Sequence, residues 1–215
     1  MKTHIIKIDP WHMDFDSIRL ISGMLKEGGI IVYPTDTFYG LGGNCHSLPA
    51  VKRIYTLKKR DSSKPLSVLA AGMKMVEANT VKRPAVFSKL AQKFWPGPLT
   101  MILKASSRLP NDILGPGRTL AVRWPDCPWV ADLLYHTGFP ITATSANISG
   151  QAEISCPEEA ARVFEGKVDG IVDGGPTPGG KPSTIVDLTQ DKPRILREGA
   201  VPSLSLQPYL NVIKP

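Results

Sequence analysis

Residues 30–43 read Ile30-Ile31-Val32-Tyr33-Pro34-Thr35-Asp36-Thr37-Phe38-Tyr39-Gly40-Leu41-Gly42-Gly43. The apolar, largely β-branched run Ile30–Tyr33 predicts a buried strand, and Pro34 to Gly43 a polar, glycine-rich turn behind it. In an open α/β sheet, ligands bind beyond the carboxyl ends of strands. Thr35, Thr37 and Tyr39 then bring hydroxyls into a loop suited to a small polar substrate. Threonine and tyrosine are also ordinary strand formers, so the stretch reads equally as a polar turn.

Working outward, the pattern on both sides alternates between strand and helix. His4–Ile8 alternates like a short strand. Asp16 or Ser17 caps a helix carrying Ile18, Ile21, Met24 and Leu25 on one face, and Gly28-Gly29 stops it. Ser47 and Pro49 open a second helix with Val51, Ile54 and Tyr55 inward. Further helices are expected at Pro84–Trp95, Pro128–His136 and Pro157–Glu165. Strands are expected at Leu66–Ala70, Leu99–Lys104, Thr119–Arg123, Ile141–Thr144, Ile171–Asp173, Thr184–Leu188 and Ile195–Arg197. This predicts a single α/β domain over residues 1–199, with antiparallel pairing at its late edge. Residues 200–215 read as a short, weakly attached tail with room for one helix.

Composition narrows the classes. The chain has 215 residues, 42% apolar and 21% charged, which suits a domain with a real core and not a disordered chain. No run approaches about 18 apolar residues, so no membrane span is expected. The first residues lack the apolar core of a signal peptide. The three cysteines, Cys45, Cys127 and Cys156, are far apart and never in a C-x-x-C pair. That argues against a zinc site or a disulfide framework and fits reduced thiols in a cytoplasmic protein. His4, His12, His46 and His136 stand in unrelated contexts, so no metal-ligating set is expected. A net charge of +7 suits a nucleotide or nucleic-acid partner, and equally an ordinary basic protein.

Several polar groups cluster at element ends. Gly175–Lys181 (GPTPGGK) meets most of a phosphate-loop pattern. However, Pro182 stands where Ser or Thr would hold magnesium, and a strand follows in place of a helix, so it is read as a glycine-rich turn. Lys58, Arg60 and Lys64 follow a helix and can hold phosphates, although cations also simply favour a helix C-terminus. Ser145 and Asn147 leave the strand Ile141–Thr144, able to bond a ligand or close an Asx turn. Ser183 follows the glycine-rich turn and Arg197 ends the last strand. Arg123, closing the strand Thr119–Arg123, is well placed for a carboxylate.

Taken in order, YPTDTFYGLG, KKRDSSKPL, WPGPLT, AVRWP, TSANISG, DGG…STIVD and REG resemble the YrdC-like family of threonylcarbamoyl-AMP synthases, over roughly Ile5 to Gly199. The resemblance implies a twisted mixed sheet flanked by helices around one large basic cavity. It also implies a reaction. Threonine's amine takes up CO₂ from bicarbonate, the carbamate attacks the α-phosphate of ATP, and pyrophosphate leaves. Mg²⁺ is expected to arrive with ATP, and downstream tRNA threonylcarbamoyl-transferase proteins to take the product. Motif by motif, Thr35, Thr37, Arg123, Ala143 and Ser183 are expected around L-threonine. Lys58 and Arg60, the expected catalytic pair, grip the ATP phosphates with Lys64, and Thr119, Ser145, Asn147 and Arg197 contact the nucleotide.

This sequence departs from the family pattern at Lys64, where many members have Asn, and at Leu69, where some have His. Its length resembles the single-domain form. The competing reading is an RNA-binding or ribosome-maturation factor without adenylation activity, touching tRNA or double-stranded RNA directly. The charge permits it, but no RNP-type aromatic motif or long Lys/Arg run is present. A carbamoyl-phosphate-dependent hydrogenase maturation chemistry ranks behind both, because those proteins carry further regions and paired cysteines.

Overall fold

A computed structural model describes residues 2–11 and 14–210; His12 and the end of the expected tail, 211–215, lie outside the described residues. In chain order the elements are β1 (His4–Lys7), α1 (Phe15–Lys26), β2 (Ile31–Tyr33), β3 (Gly40–Gly42), α2 (Leu48–Lys58), β4 (Ser67–Leu69), α3 (Gly72–Asn79), β5 (Thr80–Val81) and α4 (Ala85–Phe94). There follow β6 (Leu99–Ala105), a 3-10 turn (Asn111–Ile113), β7 (Thr119–Arg123), α5 (Pro128–Thr137), β8 (Ile141–Ser145), α6 (Pro157–Phe164), β9 (Gly170–Asp173), β10 (Thr184–Asp187), β11 (Arg194–Arg197) and α7 (Ser203–Leu210). The first helix begins earlier than its sequence cap implied. Asp14, not Asp16 or Ser17, is the N-cap, because its carboxylate accepts from both the backbone N–H (2.8 Å) and the hydroxyl (2.7 Å) of Ser17. Ser47 caps α2 as expected.

The strands form one mixed sheet in the order β1-β9-β2-β3-β8-β4-β7-β6-β10-β11, with β5 alongside β6. The pairs β1–β9, β9–β2, β4–β7 and β6–β10 are parallel. Antiparallel pairing is not confined to the late edge, as the sequence implied. It runs through the centre as β2–β3, β3–β8, β8–β4 and β7–β6. The central reversal depends on β3, a strand hidden in the glycine-rich turn. A Cβ on Gly42 would lie 2.4 Å from the Thr142 carbonyl oxygen, and one on Gly40 2.8 Å from the Tyr33 ring. Only glycine lets the backbones meet so closely.

Helices cover both sides. Val68, Met101, Val122 and Val186 of the sheet pack with Ile54, Leu90, Phe164 and Leu206 from α2, α4, α6 and α7. Ile31, Tyr33 and Val172 pack with Ile21 and Leu25 of α1 and Trp129 and Leu133 of α5. After Gly199 the chain forms α7, with Leu206 and Leu210 buried and the Tyr209 ring 5.7 Å from that of Phe94 on α4. No helix among the described residues is long and apolar enough to cross a membrane.

Candidate active site

Side chains alternate across a strand. Since Val68, Met101 and Val122 point into the core, their neighbours in β4, β6 and β7 must face the other way. The register lines these neighbours up in two rows. One row runs Ala143, Ser67, Ala121, Ile102. The next runs Leu69, Arg123, Thr100, Ile185, Arg197. In the first row, three of the four side chains are no larger than serine, so the sheet face is hollow there. A cavity of about 380 Å³ opens over both rows, roofed by the Thr35–Tyr39 loop and by Pro182 and Ser183. That volume falls within the roughly 300–1,000 Å³ of small-molecule sites.

Arg123 is the best-fixed cation on this face. Its Nε donates to the Gly97 carbonyl at 3.1 Å, one terminal nitrogen to Thr37 Oγ1 at 3.2 Å, and the other to Asp36 Oδ1 at 2.5 Å. The ion pair is nearly dry, with side-chain exposures of 8% and 13%. Asp36 Oδ2 also accepts from the Asp126 backbone N–H at 3.2 Å. A guanidinium carries five N–H groups. Three are engaged here, so two remain to receive an anion. Thr35 and Thr37 share a hydroxyl contact of 3.2 Å, and Thr35 donates to the Phe38 carbonyl at 2.7 Å. The loop hydroxyls and the arginine thus form one network.

Across the cavity, Ser183 Oγ and Thr100 Oγ1 lie 2.8 Å apart, and Arg197 grips the Ser183 carbonyl at 2.8 and 3.2 Å. Gly199 allows this clasp. Its missing Cβ would sit 2.0 Å from the Pro182 carbonyl oxygen, so the chain after Arg197 passes flush against the turn before β10. Burial lowers the affinity of Arg197 for its proton, and Glu153 opposes that effect. Arg60 reaches the wall from beyond α2, held by the carbonyls of Lys64 (3.2 Å) and Pro65 (3.0 Å).

Of the residues singled out from sequence, Thr35, Thr37, Arg60, Arg123, Ala143, Ser145, Ser183 and Arg197 line this one cavity. Four do not. Lys58 lies buried beneath the floor, its ammonium donating to the Ser145 carbonyl, to the Asn147 carbonyl at 2.7 Å and to Asn147 Oδ1 at 2.9 Å. Burial draws its pKa down to about 8; Arg60 acts in the same direction and Glu153 against it. Asn147 is spent on the same frame, its amide donating to the Gln151 carbonyl at 2.6 Å. Lys64 is exposed outside the wall. Thr119 shares a face with Ala121 and Arg123 but lies opposite Lys104, at the far end of β7.

Sequence reasoning missed Asp36, Ser67, Thr100 and Glu153. Asp36 stood inside the quoted stretch without a role. The alternation in LTMILKA and SVL contained Thr100 and Ser67. Nothing local marked Glu153. At the Arg123 end, burial, aided by Asp36, pushes the Cys127 thiol up to about 12, which disfavours the thiolate. The described residues contain no cluster of His, Cys, Asp and Glu able to hold a metal ion by themselves.

The Sua5/YciO/YrdC family model, described as telomere recombination, matches residues 23–199. The threonylcarbamoyl-AMP synthase of Pyrococcus abyssi is 37% identical over 208 residues, covering 97% of this chain and 60% of that protein. That of Bacillus subtilis is 38% identical over 198 residues, covering 91% and 57%. The chain thus spans about three-fifths of the length of these two relatives. Among solved structures, P. abyssi Sua5 complexed with L-threonine is similar with a TM-score of 0.94 at 37% identity, over 99% of this chain and 62% of that one. E. coli YciO is similar with a TM-score of 0.86 at 30% identity, over 98% and 100%.

Proposed function

The chain belongs to the Sua5/YciO/YrdC family, and from that membership we propose that it is an ATP-dependent L-threonylcarbamoyl-AMP synthase, a nucleotidyltransferase of tRNA modification. The observation that carries the reading is the convergence of the family's separate motifs on one hollow sheet face, with Arg123 at one end and Arg60, Arg197 and the Ser145 turn elsewhere on its wall. The names of the relatives favour the synthase over the RNA-binding alternative. Direct contact with tRNA or double-stranded RNA, transfer to downstream tRNA threonylcarbamoyl-transferase proteins, and a cytoplasmic setting complete the proposal. They draw support from the charge of +7 and the free thiols.

The two free N–H groups of Arg123 take the threonine carboxylate, while Thr35, Thr37 and Ser183 supply hydroxyls around it. The amine and bicarbonate give the carbamate and water. A carbamate oxygen then attacks the α-phosphate, and the P–O bond to the β-phosphate breaks to release pyrophosphate. The carbamate is itself the nucleophile, so the protein has to align two anions and spread their charge. Arg60 and Arg197 do this from the wall, and Lys58 from below, by fixing the Ser145–Asn147 turn. Mg²⁺, brought with ATP, supplies phosphate charge neutralisation.

Pyrophosphate release from ATP with Mg²⁺, bicarbonate and each amino acid in turn tests the reading. Release is expected only with threonine and bicarbonate together, and weakly with serine. Folded protein showing no threonine-dependent release would return the weight to RNA binding. A second test concerns the hollow. Ala121→Leu puts extra carbons into the cavity and none into the core. It is expected to lower kcat/KM by at least about tenfold, with the melting temperature held. A large melting loss with intact kcat/KM would mean that the residue faces the core.

A further inference from the structure

Glu153 is the one acidic side chain lining the cavity among the described residues. It sits on the loop that leaves β8, and that loop is tied down on both sides of it. Asn147 bonds the Gln151 carbonyl at 2.6 Å, the Tyr39 backbone N–H bonds the Ile154 carbonyl at 2.8 Å, and the Thr177 N–H bonds the Ser155 carbonyl at 2.8 Å. Ile154 beside it is buried. The backbone is therefore held, yet no hydrogen bond or ion pair from the described residues reaches the Glu153 carboxylate. Asp36, the other acid near the site, is already consumed by Arg123 and the Asp126 N–H. A half-buried carboxylate that faces the cavity with no hydrogen-bond or ion-pair partner among the described residues is available to a cationic ligand.

Two cations enter the proposed reaction: the threonine ammonium and the Mg²⁺ of ATP. The charged neighbours of Glu153 decide between them. Its charge acts on Arg197, which lines the cavity with it, and on Lys58 beneath the floor, both assigned above to the nucleotide. The threonine carboxylate is assigned to Arg123. Mg²⁺ prefers one or two protein carboxylates together with substrate phosphate oxygens, and retains waters. One fixed carboxylate beside the phosphate-binding cations meets that demand; one alone cannot hold the ion without the phosphates.

We propose that Glu153 is the protein's ligand, direct or through one water, for the Mg²⁺ that accompanies ATP. The assignment rests on the nucleotide reading above. It also makes metal and nucleotide bind as a unit, since neither completes the coordination shell without the other.

The test compares ATP affinity in Mg²⁺ with ATP affinity in excess EDTA, by calorimetry, for the wild-type protein and for Glu153→Gln. Threonine affinity without nucleotide and the melting temperature are measured alongside. Wild-type protein is expected to bind ATP more tightly with Mg²⁺. In the variant that advantage falls by about tenfold, because metal-free ATP binding is unchanged or tighter once a negative charge is gone. Threonine affinity and melting stay as in wild type. Glu153→Asp, which keeps the charge on a shorter arm, is expected to recover part of the advantage. Equal changes with and without Mg²⁺ overturn the assignment, as does a loss confined to threonine, which gives Glu153 to the ammonium. Wild-type protein that binds no ATP under either condition overturns the functional reading as well.

Discussion

Arg123→Ala is expected to lower kcat/KM for threonine by about 10²-fold, since it removes a charge-assisted, two-pronged grip on the carboxylate. The same change strands Asp36. Breaking a buried ion pair by removing one partner costs about 3–5 kcal/mol, and this pair is only 8% and 13% exposed. A single variant therefore confounds folding with function. The double variant Asp36→Asn/Arg123→Ala separates them. It is expected to regain most of the lost melting temperature, because a neutral amide still accepts from the Asp126 N–H. Threonine use stays about 10²-fold down. Recovery of threonine use in the double variant would remove Arg123 from the site. Kinetics against threonine concentration, read beside thermal melts of the wild type and both variants, decide the matter.

Lys58→Met is expected to reduce pyrophosphate release by about 10²-fold, of the order seen when one preorganised donor is removed from a charge-stabilising site. Its effect on folding is small near neutral pH. Burial disfavours the ammonium in the folded chain, holding its pKa near 8 against an ordinary 10.5. Methionine removes that cost, and it leaves the Ser145 and Asn147 carbonyls without their donor at about 1–3 kcal/mol each. Asn147 Oδ1 keeps Ser145 Oγ at 2.7 Å. These opposing terms largely cancel at pH 7. They do not cancel at alkaline pH. Below pH 8 the folded and unfolded chains both hold the Lys58 proton, and the full cost of burying the charge is present. Between 8 and 10.5 the unfolded chain binds more protons, so stability rises with pH in that window. Wild-type protein is therefore expected to gain stability over Lys58→Met from pH 8 to 10.5, while its activity falls as the ammonium that organises the Ser145–Asn147 turn is lost. Parallel denaturant titrations at pH 7 and 10 check this; equal slopes with pH in the two proteins would place the Lys58 charge in water.

The long-period elements were legible because their signals are local. Proline at the start of α5 and α6 and glycine after α5 mark their ends, and continuous apolar runs mark β6 and β7. Helix α3 was not legible, since no side chain caps it and glycine opens it. Strand β3 was not legible either, because its glycines are selected by the Tyr33 ring and the Thr142 carbonyl, neighbours brought in by the fold. The site divides in the same way. Arg123 and Ser183 stood at strand ends and were visible. The floor of Ser67, Ala121 and Thr100 was not, because three short strands read singly as core. Only their register reveals that one face is lined by small and polar groups. Lys58 and Asn147 were legible in two separate motifs, but their mutual hydrogen bonds, formed 89 positions apart, turn them toward each other and away from the cavity.

The strand order has a consequence for how the protein comes off the ribosome. The floor residues Ser67, Thr100, Ala121, Arg123 and Ala143 are all synthesised before Ser183, Ile185 and Arg197, which close the wall on β10 and β11. Ser183 meets Thr100 across 83 positions, and β1 waits for β9 at the other edge. Until β10 docks in parallel on Leu99–Ile102, that stretch of β6 presents unpaired backbone groups to other nascent chains. Such distant pairings also make closure slow. A product of early termination before β10 is therefore an open, association-prone sheet.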